Sequence, residues 1–358
     1  MSRERRTSSR TWMPCDRRSL LCSVRQSRPT RSPDERNLCL ALATTAQRCF
    51  MSVIAVVITL DRPETASCCL SSILHGSRRP DRVVVVDNGS AIPYTPPQEY
   101  RYDVDVVRLE HNSGPAGGAA IGQQKALELK ADWVWMLDDD AIVDPDALAR
   151  LVQGADTHGV RTYFRSVCYN TPQPELPFFN SFTYSRRTGM LRPVPRERYL
   201  EPEFAFDTCA MAGLFIPSSL LFEAGLFDAS LYGWYDDTEF TLRATLAGFR
   251  GYAIPASRLL HPSANRRTMR FLGRSLAVLV DQPWRLYYGT RNCILTQRRL
   301  LARGRFLALF LPLFAVRRFI SIVLLYNNRR AFLHYFVRGV SDGLHGRTGE
   351  LTQGGRTI

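Results

Sequence analysis

Short apolar runs alternate with helix-like stretches through the middle of the chain. The apolar runs lie at residues 53–59, 82–87, 105–110 and 133–137. The first of them, VIAVVIT, is continuously apolar, which is typical of a strand buried on both faces of a sheet. Helical patterns lie between the runs at residues 64–75 and 118–130. This alternation predicts an α/β fold with a mostly parallel sheet covered by helices on both sides.

Polar residues follow three of these predicted strands. Thr59 and Arg62 lie at or just beyond the end of the first strand, Asp87 ends the second, and Asp138 begins a run of three aspartates after the fourth. In open α/β sheets the ligand site lies beyond the carboxyl ends of the strands. We therefore expect these residues, which are distant in sequence, to converge at one site.

The second half of the chain has a different pattern. Residues 160–217 are rich in proline and aromatic residues and hold shorter strand-like pieces, including FFNSFTY at 178–184. Helical character returns at about residues 218–224 and again at about 237–247. The pattern therefore predicts short strands followed by two helices.

Two apolar pieces lie near the C-terminus, at residues 306–316 and 319–326, on either side of Arg317 and Arg318. Pro312 and the arginine pair interrupt them, so neither piece reaches the roughly 20 apolar residues that a membrane-spanning helix requires. An interfacial amphipathic segment, whose basic residues meet lipid headgroups, is one interpretation. A pair of core helices in the same domain is the other, and the pattern leaves both open.

Residues 1–50 are rich in arginine and serine and show no sustained hydrophobic period. This composition predicts a disordered leader. Met51 opens the first clean strand and is an alternative start of translation, in which case the leader is not translated. A mitochondrial-type presequence is the competing interpretation of an Arg- and Ser-rich segment with few acidic residues.

The net charge of +14 is unevenly distributed. Residues 1–50 carry 11 Arg and 4 acidic residues, or +7, and residues 258–358 carry 18 Arg and 3 acidic residues, or +15. Residues 51–257 therefore carry −8. A nucleic-acid-binding protein would concentrate basic residues on its working domain, so this class is disfavoured. Basic ends around an acidic middle favour attachment to an anionic surface, most simply a membrane face.

The 9 cysteines are scattered along the chain, and no two of them form a CxxC pair. This spacing disfavours a zinc site and a disulfide framework. The natural compartment for such a chain is a reducing cytoplasm, where free thiols pack in the core.

The run WVWMLDDD, residues 133–140, carries the strongest chemical signal in the sequence. Three adjacent carboxylates repel one another, and burying an unpaired carboxylate costs several kcal/mol or raises its pKa. A solvated turn is one interpretation, with Asp144 and Pro145 as the N-cap and first residue of the next helix. A bound cation that neutralises the cluster is the other.

Five segments in a fixed order resemble the family-two inverting glycosyltransferases of GT-A fold. They read VVITLDRPE, PDRVVVVDNGS, HNSGPAGGAAIG, WVWMLDDD and WYDDTEFTLRATLAGFRGYAIPASRLLH. The likeness covers roughly residues 53–300 and is greatest to the bacterial branch that transfers galactofuranose or rhamnose to cell-wall glycans. It implies a GT-A nucleotide-diphospho-sugar transferase fold, with a C-terminal helical segment that associates with a membrane.

The resemblance implies a divalent metal, Mn²⁺ or Mg²⁺, which prefers oxygen ligands and stabilises the departing diphosphate. By likeness to the family, Asp140 is a direct ligand with Asp138 beside it, and Asp139 lies either toward the ribose or behind the direct ligands. In galactofuranosyl-transferring relatives a histidine at the place of His261 completes the metal site. A packed or surface role is the alternative for this histidine.

The resemblance also implies a general base on the acceptor side, because the attacking hydroxyl must lose its proton. Relatives have an acidic pair whose second member is the base, which corresponds here to Asp237. Simple capping of the helix that follows is the alternative role for this residue. The remaining residues assigned to the acceptor side are Trp234, Asp236, Glu239 and Arg291. Arg291 lies in YYGTRN, which resembles a stretch common in relatives, and the diphosphate side is its alternative.

The nucleotide side is assigned to the earlier strand ends and to the glycine-rich run. Relatives use an aspartate in the position of Asp87 to bind the base, although a turn with Asn88 and Gly89 would also explain it. Glycines in HNSGPAGGAAIG allow close approach of the backbone to a nucleotide at a helix N-terminus. The assigned residues are Thr59, Arg62, Asp87, Asn112, Gly114, Asp138 and Asp139.

Two departures from the family pattern stand out. Relatives read TYNRP or TFNRP where this chain reads TLDRP, so Leu60 and Asp61 replace an aromatic residue and an asparagine. Pro115 lies within the glycine run. The first departure weakens the inferred nucleotide contact at that position.

These observations predict three segments: a leader at 1–50, a GT-A catalytic domain at 51–265, and a basic helical or interfacial segment at 266–358. The expected activity is transfer of a hexose from UDP-galactofuranose, or second from dTDP-rhamnose, to a lipid-linked or cell-wall glycan acceptor. The expected location is cytoplasmic and peripheral, on the inner face of the cell membrane, with no nucleic acid partner.

Two other classes of function remain as alternatives at this stage. A nucleotidyltransferase also gathers carboxylates and metal at a sheet edge, but it requires a basic glycine-rich phosphate loop, and only Arg62 lies near that point. A non-catalytic basic adaptor at a membrane surface explains the charged ends. It does not explain the acidic runs DDD and WYDDTEF or His261.

Overall fold

The computed structural model describes residues 51–171, 173–262, 266–271, 274–279, 282–353 and 356–357. The Arg- and Ser-rich leader at residues 1–50, for which the sequence predicts disorder, lies outside the described residues.

Strands and helices alternate through the first part of the described chain. The elements are β1 (Val53–Thr59), α1 (Pro63–Leu74), β2 (Arg82–Asp87), β3 (Val104–Arg108), α2 (Gly114–Glu128) and β4 (Trp133–Asp138). Strand β1 pairs in parallel with both β2 and β4, and β2 pairs in parallel with β3. The predicted parallel arrangement is therefore confirmed.

Helix α2 begins at Gly114, earlier than the predicted start near Gly118. Pro115 fits the first turn, where its missing N–H has no helical partner to lose. The glycines that follow are poor helix formers, but they let the helix lie close to the sheet: a Cβ on Gly122 would come within 2.3 Å of Val56 Cγ1. Packing therefore outweighs local propensity here.

Further strands and helices follow β4, and these strands pair both antiparallel and parallel. They are β5 (Ile142–Val143), α3 (Ala147–Thr157), β6 (Thr162–Asn170), β7 (Gln173–Pro177), β8 (Ser181–Tyr184), β9 (Leu191–Pro193), β10 (Phe204–Phe206), β11 (Thr208–Cys209), β12 (Leu214–Pro217), α4 (Ser218–Ala224), α5 (Asp236–Leu246) and β13 (Arg250–His261). The main sheet has the order β10-β13-β6-β12-β4-β1-β2-β3, in which β12 runs antiparallel to β4. The strand predicted at 178–184 is confined to β8.

Helices dominate the C-terminal part of the described chain. Its elements are β14 (Arg266–Phe271), β15 (Arg274–Leu279), α6 (Pro283–Leu300), α7 (Arg303–Leu325), α8 (Arg329–His345), β16 (Thr352–Gln353) and β17 (Arg356–Thr357). Helices α6 and α8 pack against each other: a Cβ on Gly343 of α8 would lie 2.9 Å from Ile294 Cβ of α6.

Helix α7 corrects one prediction from the sequence. Pro312 and the pair Arg317–Arg318 were expected to divide the apolar stretch, but the helix continues through all three residues. A π-helical segment, Phe306–Phe310, ends two residues before Pro312. Its wider turn accommodates the proline, whose nitrogen has no hydrogen to donate to the preceding turn. Within the described residues, α7 is the one helix long and apolar enough, by length and composition, to cross a membrane.

The sheet has a hydrophobic core on each face, as expected for parallel strands covered by helices. In β1, Ile54 and Val56 join one core, whereas Val53, Ala55 and Val57 join the other. This alternation fixes the strand register, which in turn fixes where the polar strand ends meet.

Candidate active site

A cavity of about 640 Å³ lies at the carboxyl ends of β1 and β4. This volume lies within the range of small-molecule sites. Strand pairing brings the ends of β1, β2 and β4 together here: Ile58 pairs with Asp138 across β1 and β4, and Thr59 pairs with Asp87 across β1 and β2. The cavity lining includes these residues assigned from the sequence: Thr59, Arg62, Asn112, Asp138, Asp139, Asp140, Trp234, Asp236, Asp237 and His261.

The aspartate run is more than a solvated turn. Asp139 is fully buried, accepts a hydrogen bond from Thr59 Oγ1 at 2.8 Å, and forms an ion pair with Arg62 Nη2 at 2.6 Å. The other terminal nitrogen of Arg62 lies 3.0 Å from Asp140 Oδ2. Burial raises the pKa of Asp139 to about 6, although Thr59 and Arg62 both oppose the rise.

His261 reaches the aspartates through strand pairing. Leu260 of β13 pairs with Ile142 of β5, which follows the aspartate turn, so the next residue of β13 comes beside that turn. His261 Nε2 lies 3.3 Å from Asp138 Oδ2 and 3.0 Å from Asp140 Oδ1.

The electrostatics of this cluster follow from its close contacts. Burial alone would lower the pKa of His261, but the adjacent carboxylates of Asp138 and Asp140 outweigh it and raise this pKa to about 11. Burial would raise the pKa of Asp140, but His261 and Arg62 hold it below its ordinary value. In this arrangement the imidazolium and guanidinium groups balance the negative charge of the aspartates.

The same three side chains form a set of ligands that suits a divalent cation. Ligand atoms of Asp138, Asp140 and His261 all lie within 4.8 Å of one another. Asp140 Oδ1 is buried and receives no hydrogen bond of good geometry from any described residue. Carboxylate oxygens with one imidazole nitrogen fit Mn²⁺ well and Mg²⁺ less naturally.

An acidic pair lines the same cavity at the start of α5. Asp237 Oδ1 accepts hydrogen bonds from the backbone N–H of Thr238 at 2.6 Å and from its hydroxyl at 3.2 Å. The N-cap position belongs to Tyr235, and no side chain caps the helix there. Burial raises the pKa of Asp237, and burial together with the charge of Asp237 raises that of Asp236 well above its ordinary value. A carboxylate with a raised pKa is suited to accept a proton near neutral pH.

The backbone leading into this acidic pair is strained. We call residues 231–235 the aromatic loop. Tyr232, Trp234 and Tyr235 in it have positive φ angles of 66°, 56° and 77°. Each left-handed non-glycine residue costs on the order of 1–3 kcal/mol and persists only where the surroundings hold it. No periodicity in the sequence signals such strain.

Two residues assigned to the acceptor side lie outside the cavity lining. Glu239 is buried and forms an ion pair with Arg243 at 2.9 Å, one turn along α5. Arg291 is fully buried in α6, where its Nη2 donates a hydrogen bond to the backbone oxygen of Leu231 at 2.8 Å. Both therefore bind other parts of the protein, and neither side chain lines the cavity.

Asp87 also makes internal contacts. It is fully buried and accepts hydrogen bonds from the backbone N–H groups of Ser90 and Tyr94, and Arg108 Nη1 lies 2.6 Å from its Oδ2. Burial alone would raise the pKa of Asp87, but these hydrogen bonds lower it below its ordinary value. Asp87 stands next to Thr59 in the sheet, although its side chain does not line the cavity.

Asn112 and Gly114 connect the glycine-rich run to the aromatic loop. Asn112 Oδ1 accepts hydrogen bonds from the backbone N–H of Gly114 at 2.9 Å and from Asn88 Nδ2 at 3.2 Å. Gly114 has a φ of +74°, and a Cβ added to it would lie 2.1 Å from Tyr232 O. Only glycine fits this position without displacing one of the two segments.

Aromatic side chains of α6 that line the cavity were not predicted from the sequence. Trp284 packs edge-on to Trp234 with ring centroids 4.8 Å apart, and Tyr288 stacks on Trp234 at 5.7 Å. Both line the cavity together with Tyr232 and Arg285. The available signal was the spacing of Trp284 and Tyr288, which places two aromatic rings on one helical face.

Comparison with known proteins gives concordant results. A family model described as Glycosyl transferase family 2 matches residues 54–215. The galactofuranosyltransferase GlfT1 of Mycobacterium tuberculosis is 30% identical over 266 residues, covering 70% of this chain and 86% of that protein. The dTDP-rhamnosyl transferase RfbF of Shigella flexneri is 22% identical over 271 residues, covering 75% and 87%.

Solved structures share the fold at low identity. TarS 1-349 of S. aureus matches with a TM-score of 0.50 at 17% identity and covers 83% of each chain. GalNAc-T7 with UDP, GalNAc and Mn²⁺ matches with a TM-score of 0.54 at 17% identity, covering 80% of this chain and 55% of that one.

The fold is that of GT-A glycosyltransferases, and the family match and the relatives make the chain a glycosyltransferase that uses a nucleotide-sugar donor. The chain belongs to glycosyl transferase family 2. The resemblance expected from the five sequence segments is thereby confirmed.

Proposed function

We propose that this chain is a metal-dependent, inverting glycosyltransferase. It moves galactofuranose, or as second choice rhamnose, from a nucleoside-diphosphate donor to a hydroxyl of a lipid-linked or cell-wall glycan acceptor. One observation carries the proposal: a single cavity is lined both by the cluster of Asp138, Asp140 and His261 and by the carboxylate of Asp237, whose pKa is raised.

The cluster supports the metal-dependent part of the proposal. Asp138, Asp140 and His261 would hold Mn²⁺ or Mg²⁺, which when bound neutralises charge on the leaving diphosphate. Their close spacing and the buried oxygen of Asp140 without a hydrogen-bond donor of good geometry among the described residues favour this role. Asp139, held by Thr59 and Arg62, supports the nucleotide side beside them.

Asp237 is the proposed general base. Its carboxylate accepts the proton of the acceptor hydroxyl while that oxygen attacks the anomeric carbon, on the face opposite the diphosphate. Attack from that face inverts the configuration at the anomeric carbon. Hydrogen bonds from Thr238 fix the direction of the carboxylate, and burial keeps its proton affinity high. Trp234 and Asp236 are the proposed acceptor-side neighbours.

The nucleotide is proposed to bind at the strand ends. Thr59, Arg62 and Asn112 line the cavity there. Arg62 is half exposed and its guanidinium lies against Asp139 and Asp140, so it can also meet a phosphate. Asp87 and Gly114 are proposed to support nucleotide binding indirectly, by holding neighbouring backbone and side chains in place.

The relatives support the choice of donor. Similarity to a galactofuranosyltransferase at 30% identity favours UDP-galactofuranose, and similarity to a dTDP-rhamnosyl transferase at 22% favours dTDP-rhamnose as second choice. Membership of family 2 favours glycosyl transfer over the nucleotidyl-transfer and adaptor alternatives. A role in cell-wall glycan synthesis is part of the same proposal.

Peripheral contact with the inner face of the cell membrane is the final part of the proposal. Helix α7 exposes apolar side chains along much of its length, including Leu313, Val316, Phe319 and Ile320. Arg317 lies among them and is exposed. Apolar side chains beside basic ones suit the headgroup region of an anionic membrane. Such contact would bring the cavity near a lipid-linked acceptor.

The test is turnover of nucleotide sugars by the full chain with Mn²⁺. A panel of UDP- and dTDP-sugars, including UDP-galactofuranose and dTDP-rhamnose, is incubated with a lipid-linked glycan acceptor. The wild type is compared with Asp237→Asn and Asp140→Asn. Asp144→Asn is the matched control, because Asp144 is a half-exposed aspartate near the same turn that pairs with Arg258 outside the cavity lining.

We expect the wild type and Asp144→Asn to transfer galactofuranose with inversion, and the two cavity variants to lose transfer. Loss of a general base typically costs about 10²–10⁴-fold. Asp140→Asn should also abolish the rise in thermal midpoint that Mn²⁺ gives the wild type. Turnover of dTDP-rhamnose alone would keep the mechanism and replace the donor. Full activity of Asp237→Asn would refute the assigned base.

A further inference from the structure

Asn292 of helix α6 makes an unusual set of contacts with the aromatic loop. Its Nδ2 lies 3.0 Å from the backbone oxygen of Leu231, 2.7 Å from that of Gly233 and 2.8 Å from that of Trp234. An amide nitrogen has two hydrogens, so they are shared among three carbonyl groups. The side chain of Asn292 is fully buried, so water does not compete for these hydrogen bonds.

Arg291 orients this amide and adds a donor of its own. Its Nε donates to Asn292 Oδ1 at 2.9 Å, which directs the Nδ2 atom of Asn292 toward the aromatic loop. Its Nη2 donates to the backbone oxygen of Leu231 at 2.8 Å. Its guanidinium lies 5.3 Å and 5.0 Å from the ring centroids of Tyr287 and Tyr288, which restrict its movement.

Residues 349–350 make a further set of contacts with Arg291 and with residues in and next to the aromatic loop. Arg291 Nη1 donates to the backbone oxygen of Gly349 at 2.5 Å, and Gly349 N donates to the backbone oxygen of Ser230 at 2.6 Å. Glu350 Oε1 accepts a hydrogen bond from the Tyr232 hydroxyl at 3.1 Å. The aromatic loop is thus held by side chains of α6 on one side and by residues 349–350 on another.

These contacts coincide with the strained backbone. Tyr232, Trp234 and Tyr235 all have positive φ, and residues with a Cβ return to negative φ when nothing holds them. Asp236 and Asp237 follow this segment directly. A change of φ at Tyr235 would therefore rotate the start of α5 and redirect both carboxylates.

We propose that Asn292 and Arg291 are positioning residues for sugar transfer: they clamp the aromatic loop in its left-handed conformation so that Asp236 and Asp237 face the cavity. The inference rests on the proposed function for the part that concerns transfer. It assigns a role to the RN pair of YYGTRN that differs from direct contact with acceptor or diphosphate, because neither side chain lines the cavity.

The test combines hydrogen exchange with transfer kinetics in the full chain. Asn292→Leu keeps the branched shape and removes the donors, and Arg291→Lys keeps the charge and removes the planar fork. Ile294→Ala is the matched control: Ile294 is a buried residue of the same helix that packs against α8 at Gly343, and its aliphatic side chain can donate no hydrogen bond to the loop. Exchange is followed by mass spectrometry in a peptide covering residues 229–237.

We expect faster exchange in that peptide for Asn292→Leu and an intermediate rate for Arg291→Lys. The kcat for transfer should fall on the order of 10²-fold in Asn292→Leu, since a misplacement of about 1 Å has that effect. The KM for the donor should stay near the wild-type value, because the strand ends are untouched. Ile294→Ala should lower the thermal midpoint without either change.

Two results would overturn the clamp. One is wild-type exchange in residues 229–237 with wild-type kcat in Asn292→Leu. The other is equal acceleration of exchange there in Ile294→Ala, which would mean that any loss of stability loosens the loop. If the wild type transfers no sugar from any donor, the proposed function fails, and the exchange data still decide whether the clamp exists.

Discussion

Gly114 is the point where the glycine-rich run touches the aromatic loop, and its replacement by alanine tests the packing of the site. A Cβ at this position would lie 2.1 Å from Tyr232 O and 2.8 Å from Tyr232 Cγ. The nearest obstacle is a backbone atom, which cannot rotate away as a side chain does. The carbonyl of Tyr232 is also bound by the backbone N–H of Ala116 at 3.0 Å, so it is held from both sides.

Two costs contribute to the expected destabilisation of Gly114→Ala. The left-handed φ of +74° costs alanine about 1–2 kcal/mol relative to glycine. Forcing extra atoms into a packed site typically costs about 1–3 kcal/mol. The free energy of unfolding should therefore fall by about 2–5 kcal/mol. At about 2–4 °C per kcal/mol, the thermal midpoint should fall by roughly 4–20 °C.

The assay is thermal unfolding followed by transfer activity at a temperature where the variant stays folded. Transfer should be impaired even then, because the added methyl group separates the nucleotide side from the aromatic loop. Gly289→Ala is the matched control. Nothing lies within 4 Å of a Cβ at Gly289 in helix α6, so alanine there should stabilise by about 0.5–1 kcal/mol.

A Gly114→Ala variant with wild-type transfer and a thermal midpoint within about 1 °C of the wild type would contradict the expected destabilisation. Such a result would mean that the two segments separate freely, and that their contact does not set the geometry of the cavity.

Two further predictions concern buried aspartates. The pKa of Asp87 is lowered, so its ionised form stabilises the protein above the unfolded-state pKa of about 3.9 and this contribution is lost as pH falls through the lower folded-state value. Asp87→Asn should therefore lower the free energy of unfolding by about 1.5–3 kcal/mol at pH 7, as measured with urea. The difference should shrink below about pH 4, and an equal difference at pH 7 and pH 3 would contradict it. Thr59→Val removes the hydrogen bond to Asp139 and should cost about 1–3 kcal/mol in the same assay. Thr296→Val is its control, because Thr296 is buried and its hydroxyl has no hydrogen-bond partner among the described residues; an equal cost in both variants would refute the role of the hydrogen bond.

The sheet and the donor side of the site could be predicted because their causes are local. Continuous apolar runs such as residues 53–59 can be buried only in a sheet covered on both faces, and parallel strands bring their carboxyl ends to one edge. Ile58 therefore pairs with Asp138, and Thr59 with Asp87, by strand register alone. His261 needed the family resemblance, since the pairing of β13 with β5 has no signal in the sequence.

Helix α7 illustrates a limit of reading apolar runs one at a time. Proline and paired arginines usually end such a run, but a π-helical segment before Pro312 lets the helix continue. The guanidinium carbon of Arg318 lies 5.8 Å from the centroid of the Phe314 ring in the same helix, so one of the two charged side chains packs against the helix surface. Neither accommodation can be inferred from composition, because both depend on backbone geometry.

The acceptor side could not be assembled from the sequence for a related reason. It joins three distant segments, the aromatic loop, helix α6 and residues 349–350, through hydrogen bonds that side chains of α6 donate to backbone oxygens and one that the Tyr232 hydroxyl donates to the Glu350 carboxylate. Such bonds have no period and no fixed spacing. Arg291 was assigned to the acceptor or diphosphate side by family resemblance, yet its donors are directed to carbonyl groups inside the protein. The strand-end side of the cavity thus depends on strand order, whereas the proposed acceptor side depends on contacts from the C-terminal helices. Substitutions in those helices are therefore expected to alter the proposed acceptor side while the strand ends keep their geometry.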